Sequence, residues 1–176
     1  MWWWDKSMRN FLILASLLLI SACGFSPVYG KLGHDQDFGT EDLLALVAID
    51  NVPDREGQFL RNALIDRFYR YERPSNPQYR LEVIDLTENL RDLDITETSD
   101  STRAQLRIQA KIKLRDAITG ESLMQRTLHS ASSYNKLGSE FATRASEQST
   151  RENVLNALAQ RIETQISLYL KREIIH

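Results

Sequence analysis

The 176-residue chain holds one cysteine, so no internal disulfide can form, and a thiolate zinc cluster is excluded with it. Its three histidines, His34, His129 and His176, stand far apart, and neither a His-x-x-x-His pair nor a Gly-x-Ser-x-Gly elbow occurs. The serines at 130–133 read as polarity on a strand, not as a nucleophile. No catalytic residue, metal site or cofactor is therefore expected. An excess of one charge is also missing: 22 Lys+Arg stand against 24 Asp+Glu, a net charge of −2. That balance excludes a basic nucleic-acid binder and a polyacidic tail. Proline stops at Pro77, which leaves everything downstream free to be regular. What is present is 42% apolar residues, enough for a packed core, and a length that suits one domain.

The first thirty residues carry an address. Lys6 and Arg9 precede the apolar run Phe11 to Ile20, and Ser21-Ala22-Cys23-Gly24 follow. A charged start, a short greasy stretch and small residues at a cut site describe a secretory signal. A membrane span would need ~20 apolar residues, more than this run offers. Ile20-Ser21-Ala22-Cys23 resembles a bacterial lipobox. That resemblance implies a diacylglyceryl thioether on Cys23, cleavage before it, and acylation of the new amine by a fatty chain such as palmitate. Each buried methylene contributes ~0.8 kcal/mol, so several chains on one residue make desorption negligible. Gly24, where an Asp would signal inner-membrane retention in enteric bacteria, is compatible with passage to the outer membrane. Removal of residues 1–22 leaves a mature chain with a net charge of −3 and without tryptophan, because all three are Trp2, Trp3 and Trp4. That triplet fits an overcalled start, with Met8 as the working one.

Residues 23–42 read as a lipidated start and a tether, since four of the seven glycines fall there and periodicity is absent. Such a stretch reaches about 24 Å, enough to clear the headgroups. Gly24 to Lys31 mimics a phosphate-binding loop, but its glycines are too far apart and Leu32 stands where Ser or Thr is needed. The remaining residues, 43–176, are expected to form a single domain.

Within that domain the apolar run Leu43–Ile49 predicts a buried strand. Leu60, Leu64 and Phe68 repeat at i+4 and predict a helix from Gln58 to about Tyr71, ended by Pro74 and Pro77. Tyr79 to Leu86 predicts a second strand. From Arg103 to Arg115 the alternation is without error: Ala104, Leu106, Ile108, Ala110, Ile112 and Leu114 inward, with Arg103, Gln105, Arg107, Gln109, Lys111, Lys113 and Arg115 outward. Only an antiparallel sheet with one solvated face produces that pattern. Asp116 to Glu121 supplies a hairpin turn, and Leu123 to Tyr134 returns. Ser149 with Glu152 matches a capping box before a stripe of Leu155, Leu158, Ile162, Ile166, Tyr169 and Leu170; Phe141, Ala142 and Ala145 would extend that helix back towards Ser139. The order predicts an α+β two-layer sandwich, two helices on one face of a four-stranded, mostly antiparallel sheet.

Cys23 to Gly30, Asn51 to Gln58, Ser133-Tyr134-Asn135 with Phe141-Ala142, and the strand ending Leu114-Arg115-Asp116 with its turn at Thr119-Gly120 are similar to the alphaproteobacterial lipopolysaccharide-assembly lipoproteins. The resemblance spans essentially the mature chain. It implies the same two-helix, four-strand sandwich, lipid-anchored in the cell outer membrane with its domain on the periplasmic side. The implied role is to plug the lumen of the lipopolysaccharide-assembly β-barrel, help that barrel assemble, and bind lipopolysaccharide bound for the cell surface.

Charge is unevenly placed: residues 82–100 carry a net −6 and residues 101–136 a net +5. Arg103, Arg107, Lys111, Lys113 and Arg115 share one strand face at ~7 Å spacing, suited to phosphates along a surface. Three readings of that face stay open: contact with lipopolysaccharide, contact with the barrel wall, or pairing with Asp92, Asp94 or Glu97. Enclosure inside another protein would shield a long exposed strand from edge pairing, and so would its own Lys and Arg. Two other roles fit the address: a pilot lipoprotein escorting a different outer-membrane channel such as a secretin, and a lipid-anchored periplasmic hydrolase, for which no candidate nucleophile stands out.

Overall fold

The computed structural model describes residues 40–69, 72–95 and 101–175. Cys23, the signal and most of the tether lie outside them, as does Glu97. The elements run α1 (Thr40–Leu44), β1 (Val47–Ile49), α2 (Arg55–Phe68), β2 (Tyr79–Ile95), β3 (Ser101–Asp116), β4 (Ser122–Asn135) and α3 (Glu140–Ile175). The strands form one sheet in the order β1-β2-β3-β4, with β1 parallel to β2 and the other neighbours antiparallel. Helices α2 and α3 pack on each other, α2 against β1 and α3 against β3 and β4. The α+β sandwich is as expected, with one short helix more.

The alternation of β3 is realised residue for residue. Ala104, Leu106, Ala110, Ile112 and Leu114 are fully buried and Ile108 nearly so, while Arg103, Arg107 and Lys111 are exposed. Against them α2 brings Leu60, Leu64 and Phe68, and α3 brings Leu155, Leu158, Ile162, Ile166 and Leu170, all in one apolar cluster. Those spacings of three and four keep each apolar stripe on the side turned to the sheet.

Several boundaries depart from the sequence reading. Leu43 and Leu44 are buried from a helical turn, so the run 43–49 is not one strand; only Val47–Ile49 pairs, with Tyr79 to Leu81. Helix α1 also takes in residues 40–42, read from sequence as tether. Helix α2 begins and ends three residues earlier than predicted, since Tyr69 is already extended and its hydroxyl donates to the Val47 carbonyl at 2.6 Å. Strand β2 runs to Ile95 because β3 offers it ladder partners along its whole length. The Ser149–Glu152 capping box is overturned: both residues lie inside α3, which starts where Ser139 Oγ accepts from the Ala142 amide.

Two local conformations shape the start of α2. Gly57 packs so closely on Val52 that an added Cβ would lie 2.7 Å from Val52 Cγ1. Just before it Asp54 adopts φ 66°, ψ 169°, a region suited to glycine, without a side-chain cap bond in return. Gln58 Nε2 closes the turn by donating to Asn51 Oδ1 at 3.0 Å and to the Val52 carbonyl.

Candidate functional site: the outer face of the sheet

Among the described residues the helices cover one face of the sheet and leave the other uncovered. On that outer face the ladder places Arg107 beside Asn89, Lys111 beside Asp85 and Lys113 beside Glu82 on β2, while the backbone of Arg103 is in register with that of Asp94. Arg115 Nε lies 3.0 Å from Glu82 Oε1, close enough for an ion pair but misaligned for a hydrogen bond. The five bases predicted from sequence therefore do share one face, and β2 sets carboxylates among them. Lys111, Lys113 and Arg115 face Asp85 and Glu82, whereas Arg107 is flanked by Asn89 and by Ala131 of β4.

Asp92 does not pair with these bases. A bulge between Val83 and Asp85 shifts the phase of β2, so that Leu86, Glu88, Leu90 and Asp92 turn to the helix side with Ala110, Ile108, Leu106 and Ala104. There Asp92 meets Lys136 at 2.7 Å. The same phase shift puts Arg91, opposite Gln105, on the outer face near Arg107. Sequence reading missed Arg91 because it sits within an acidic run that shows no alternation. Arg91 and Arg107 thus form a part of the face where the facing ladder residues are amide side chains. That part is the best placed to take a phosphate or carboxylate.

The helix side of the distal sheet carries a second polar cluster that no sequence motif announced. Arg151 of α3 grips Glu88 with two bonds, Nη2 to Oε1 at 2.7 Å and Nε to Oε2 at 2.8 Å. Its Nη2 also donates to Glu147 Oε1 at 2.8 Å, and Tyr134 donates to Glu147 Oε2 at 3.1 Å. The bonds to Arg151 hold the Glu147 carboxyl below the ordinary range. Burial, then the bond to Glu147, pushes the Tyr134 phenol up to about 12. The bond to Glu88 raises Arg151 further still. Every group has a partner, which makes the cluster a clamp between α3, β2 and β4.

A cleft of about 350 Å³ opens between the Val52–Glu56 segment and residues 83–88 of β2. Val52, Val83, Ile84 and Leu86 supply apolar walls, and Asp54, Glu56, Asp85 and Glu88 make its polar part acidic. Such a lining disfavours anions. Among the described residues no helix is long and apolar enough to cross a membrane.

No family model and no curated protein matches the chain. Solved structures do. A Caulobacter crescentus protein classed as a lipoprotein superposes with a TM-score of 0.59 at 21% identity, over 76% of this chain and 96% of that one. Rare lipoprotein B from Shewanella oneidensis gives 0.56 at 10% identity, over 74% and 97%. The uncharacterized lipoprotein B of Nitrosomonas europaea gives 0.54 at 18% identity, over 71% and 83%. The helix-backed four-stranded sheet is thus a fold that this chain has in common with bacterial lipoproteins.

Proposed function

We propose that the chain is an outer-membrane lipoprotein, anchored through lipid on Cys23, that works by docking and not by turnover. Its partner is the β-barrel that assembles lipopolysaccharide into the outer leaflet, which it plugs and helps to assemble, and lipopolysaccharide itself meets the outer sheet face. The observation that carries this reading is the pairing of two independent facts. The chain's only cysteine stands at the lipobox position, and the domain behind it has the fold of rare lipoprotein B. The mixed outer face, with Arg91 and Arg107 opposite amide side chains, supports contact with phosphate-bearing lipid.

Affinity purification from solubilised outer membranes tests the partner. Copurification of the lipopolysaccharide-assembly barrel is the expected result; a secretin ring in its place would assign the chain to a pilot role. Mass spectrometry of the processed polypeptide should find acylated Cys23, and its fluorescence should lack any indole signal, since every tryptophan precedes residue 5. An unmodified sulfur would refute the anchor.

A further inference from the structure

Among the described residues the sheet ends in two open edges of different construction. Beyond Leu81 no strand of the described residues lies beside the outer edge of β2, because β1 stops at Ile49. That edge is guarded: its ladder is interrupted between Val83 and Asp85, between Asp92 and Asp94, and between Asp94 and Ile95, and it carries Asp85, Glu88 and Asp92. Strand β4 is the opposite edge. Over its 14 residues the one fixed charge is Arg126, there is no proline, and the only register shift lies at its start, between Leu114 and Arg115.

The hydrogen-bond phase shows what that edge offers. The Lys136 amide donates to the Thr102 carbonyl at 2.9 Å, which fixes that pair as a bonded one. In an antiparallel ladder bonded and non-bonded pairs alternate. The N–H and C=O groups of Gln125, Thr127, His129, Ala131 and Ser133 consequently point away from β3, along the free edge. Their side chains lie on the outer face, where β4 contributes no fixed charge, since Arg126 opposite Ile112 is on the helix side.

We propose that the β4 edge is a docking site for an extended segment of a partner protein, added as a fifth strand and bearing carboxylates on alternate residues. Strands lie ~4.8 Å apart, so the added strand sits ~10 Å from β3. Arg107 and Lys111 lie directly behind Ala131 and Thr127, whose small side chains leave room for the long bases to lean across. A Glu or Asp facing outward on the added strand comes within their reach, so backbone pairing gives affinity and the bases give the preference. A second copy of this chain is a poorer occupant, because β4-to-β4 pairing sets two identical basic faces side by side. The inference does not depend on the membrane anchor or on lipopolysaccharide.

The test uses the detergent-solubilised chain and a synthetic peptide of about eleven residues alternating Glu with Val and Thr, with a Lys-for-Glu counterpart. The Glu peptide should slow amide exchange at Thr127, His129 and Ala131, and the Lys peptide should bind roughly tenfold more weakly or worse. Ala131→Pro and Thr127→Pro each remove an edge-facing N–H while sparing the ladder to β3 and every charge, and should weaken the Glu peptide roughly tenfold. Wild-type affinity in both folded proline variants would reduce the effect to attraction by the basic face and overturn the proposal. Equal binding of the two peptides would overturn the acidic preference. Edge amides protected without peptide, in a concentration-dependent way, would make a second copy the occupant. If the proline variants do not fold, the wild-type exchange pattern decides: no slowing at the three amides refutes strand addition.

Discussion

Replacing Arg151 with Met keeps the aliphatic stem against α3 and removes the guanidinium. Four charge-assisted bonds disappear, two to Glu88, one to Glu147 and one to Gln148. Bonds to charged groups contribute ~1.5–3 kcal/mol each when isolated. The full sum does not apply here. Arg151 is 16% exposed, but Glu88 and Glu147 are 33% and 29% exposed and regain water once released. The expected loss of unfolding free energy in urea is therefore about 2 kcal/mol at neutral pH. The pH dependence sharpens the test. Glu147 has its folded pKa depressed below an ordinary value near 4.5, mainly by the Arg151 bond. A depressed carboxyl contributes stability that is complete above the unfolded value and is lost as pH falls through the folded one. The gap between wild type and Arg151→Met should accordingly be full at neutral pH and narrow below about pH 4.5. A double-mutant cycle with Glu88→Gln should give a coupling of about 1 kcal/mol. A loss under about 0.5 kcal/mol, or a gap that stays constant into acid, would refute the clamp.

Gly57→Ala should lower stability by about 1 kcal/mol despite the better helix propensity of alanine, because the new methyl meets Val52; Val52→Ala in the same chain should restore most of it, measured by urea midpoint. Asp54→Gly should raise stability by about 1 kcal/mol, since it relieves the positive φ and removes no cap bond; an unchanged or lower thermal midpoint would contradict the strain. If the outer face binds lipopolysaccharide, Arg107→Glu should weaken that binding more than Lys111→Glu, because Lys111 already has Asp85 beside it, and the double variant should weaken it most while the circular dichroism stays native. Unchanged affinity in the folded double variant would remove lipopolysaccharide from this face.

The elements that the sequence made legible are those with an unbroken period. Thirteen alternating residues could only be β3, and the stripe from Leu155 to Leu170 could only be a long amphipathic helix. Where the period breaks, reading fails for identifiable reasons. Leu43 and Leu44 are buried in a helical turn directly before β1, and a continuous apolar run cannot report that change of period. The distal part of β2 is an acidic run whose phase is reset by a bulge, so its strand character comes from its partner β3 and not from its own residues. Ser149 and Glu152 have capping-box spacing, yet sequence spacing does not say whether another turn precedes them. As for the candidate site, the five bases were visible on β3. What they face was not, because cross-strand neighbours such as Glu82, Asp85 and Asn89 are set by register, and Arg91 joined them only through the bulge.

Helix α3 has 36 residues and β3 has 16. At ~1.5 Å and ~3.4 Å per residue, both come to about 54 Å. The rod backs the plank through its buried stripe from Val154 to Leu170, and over that stretch the two must keep step. A single residue inserted near Leu158 would rotate everything after it by about 100° and lift the rest of the stripe off the plank, whereas an insertion at the Ile118–Gly120 tip would change neither length. Natural length variation among domains of this build should accordingly collect at the hairpin ends and spare the middle of the long helix.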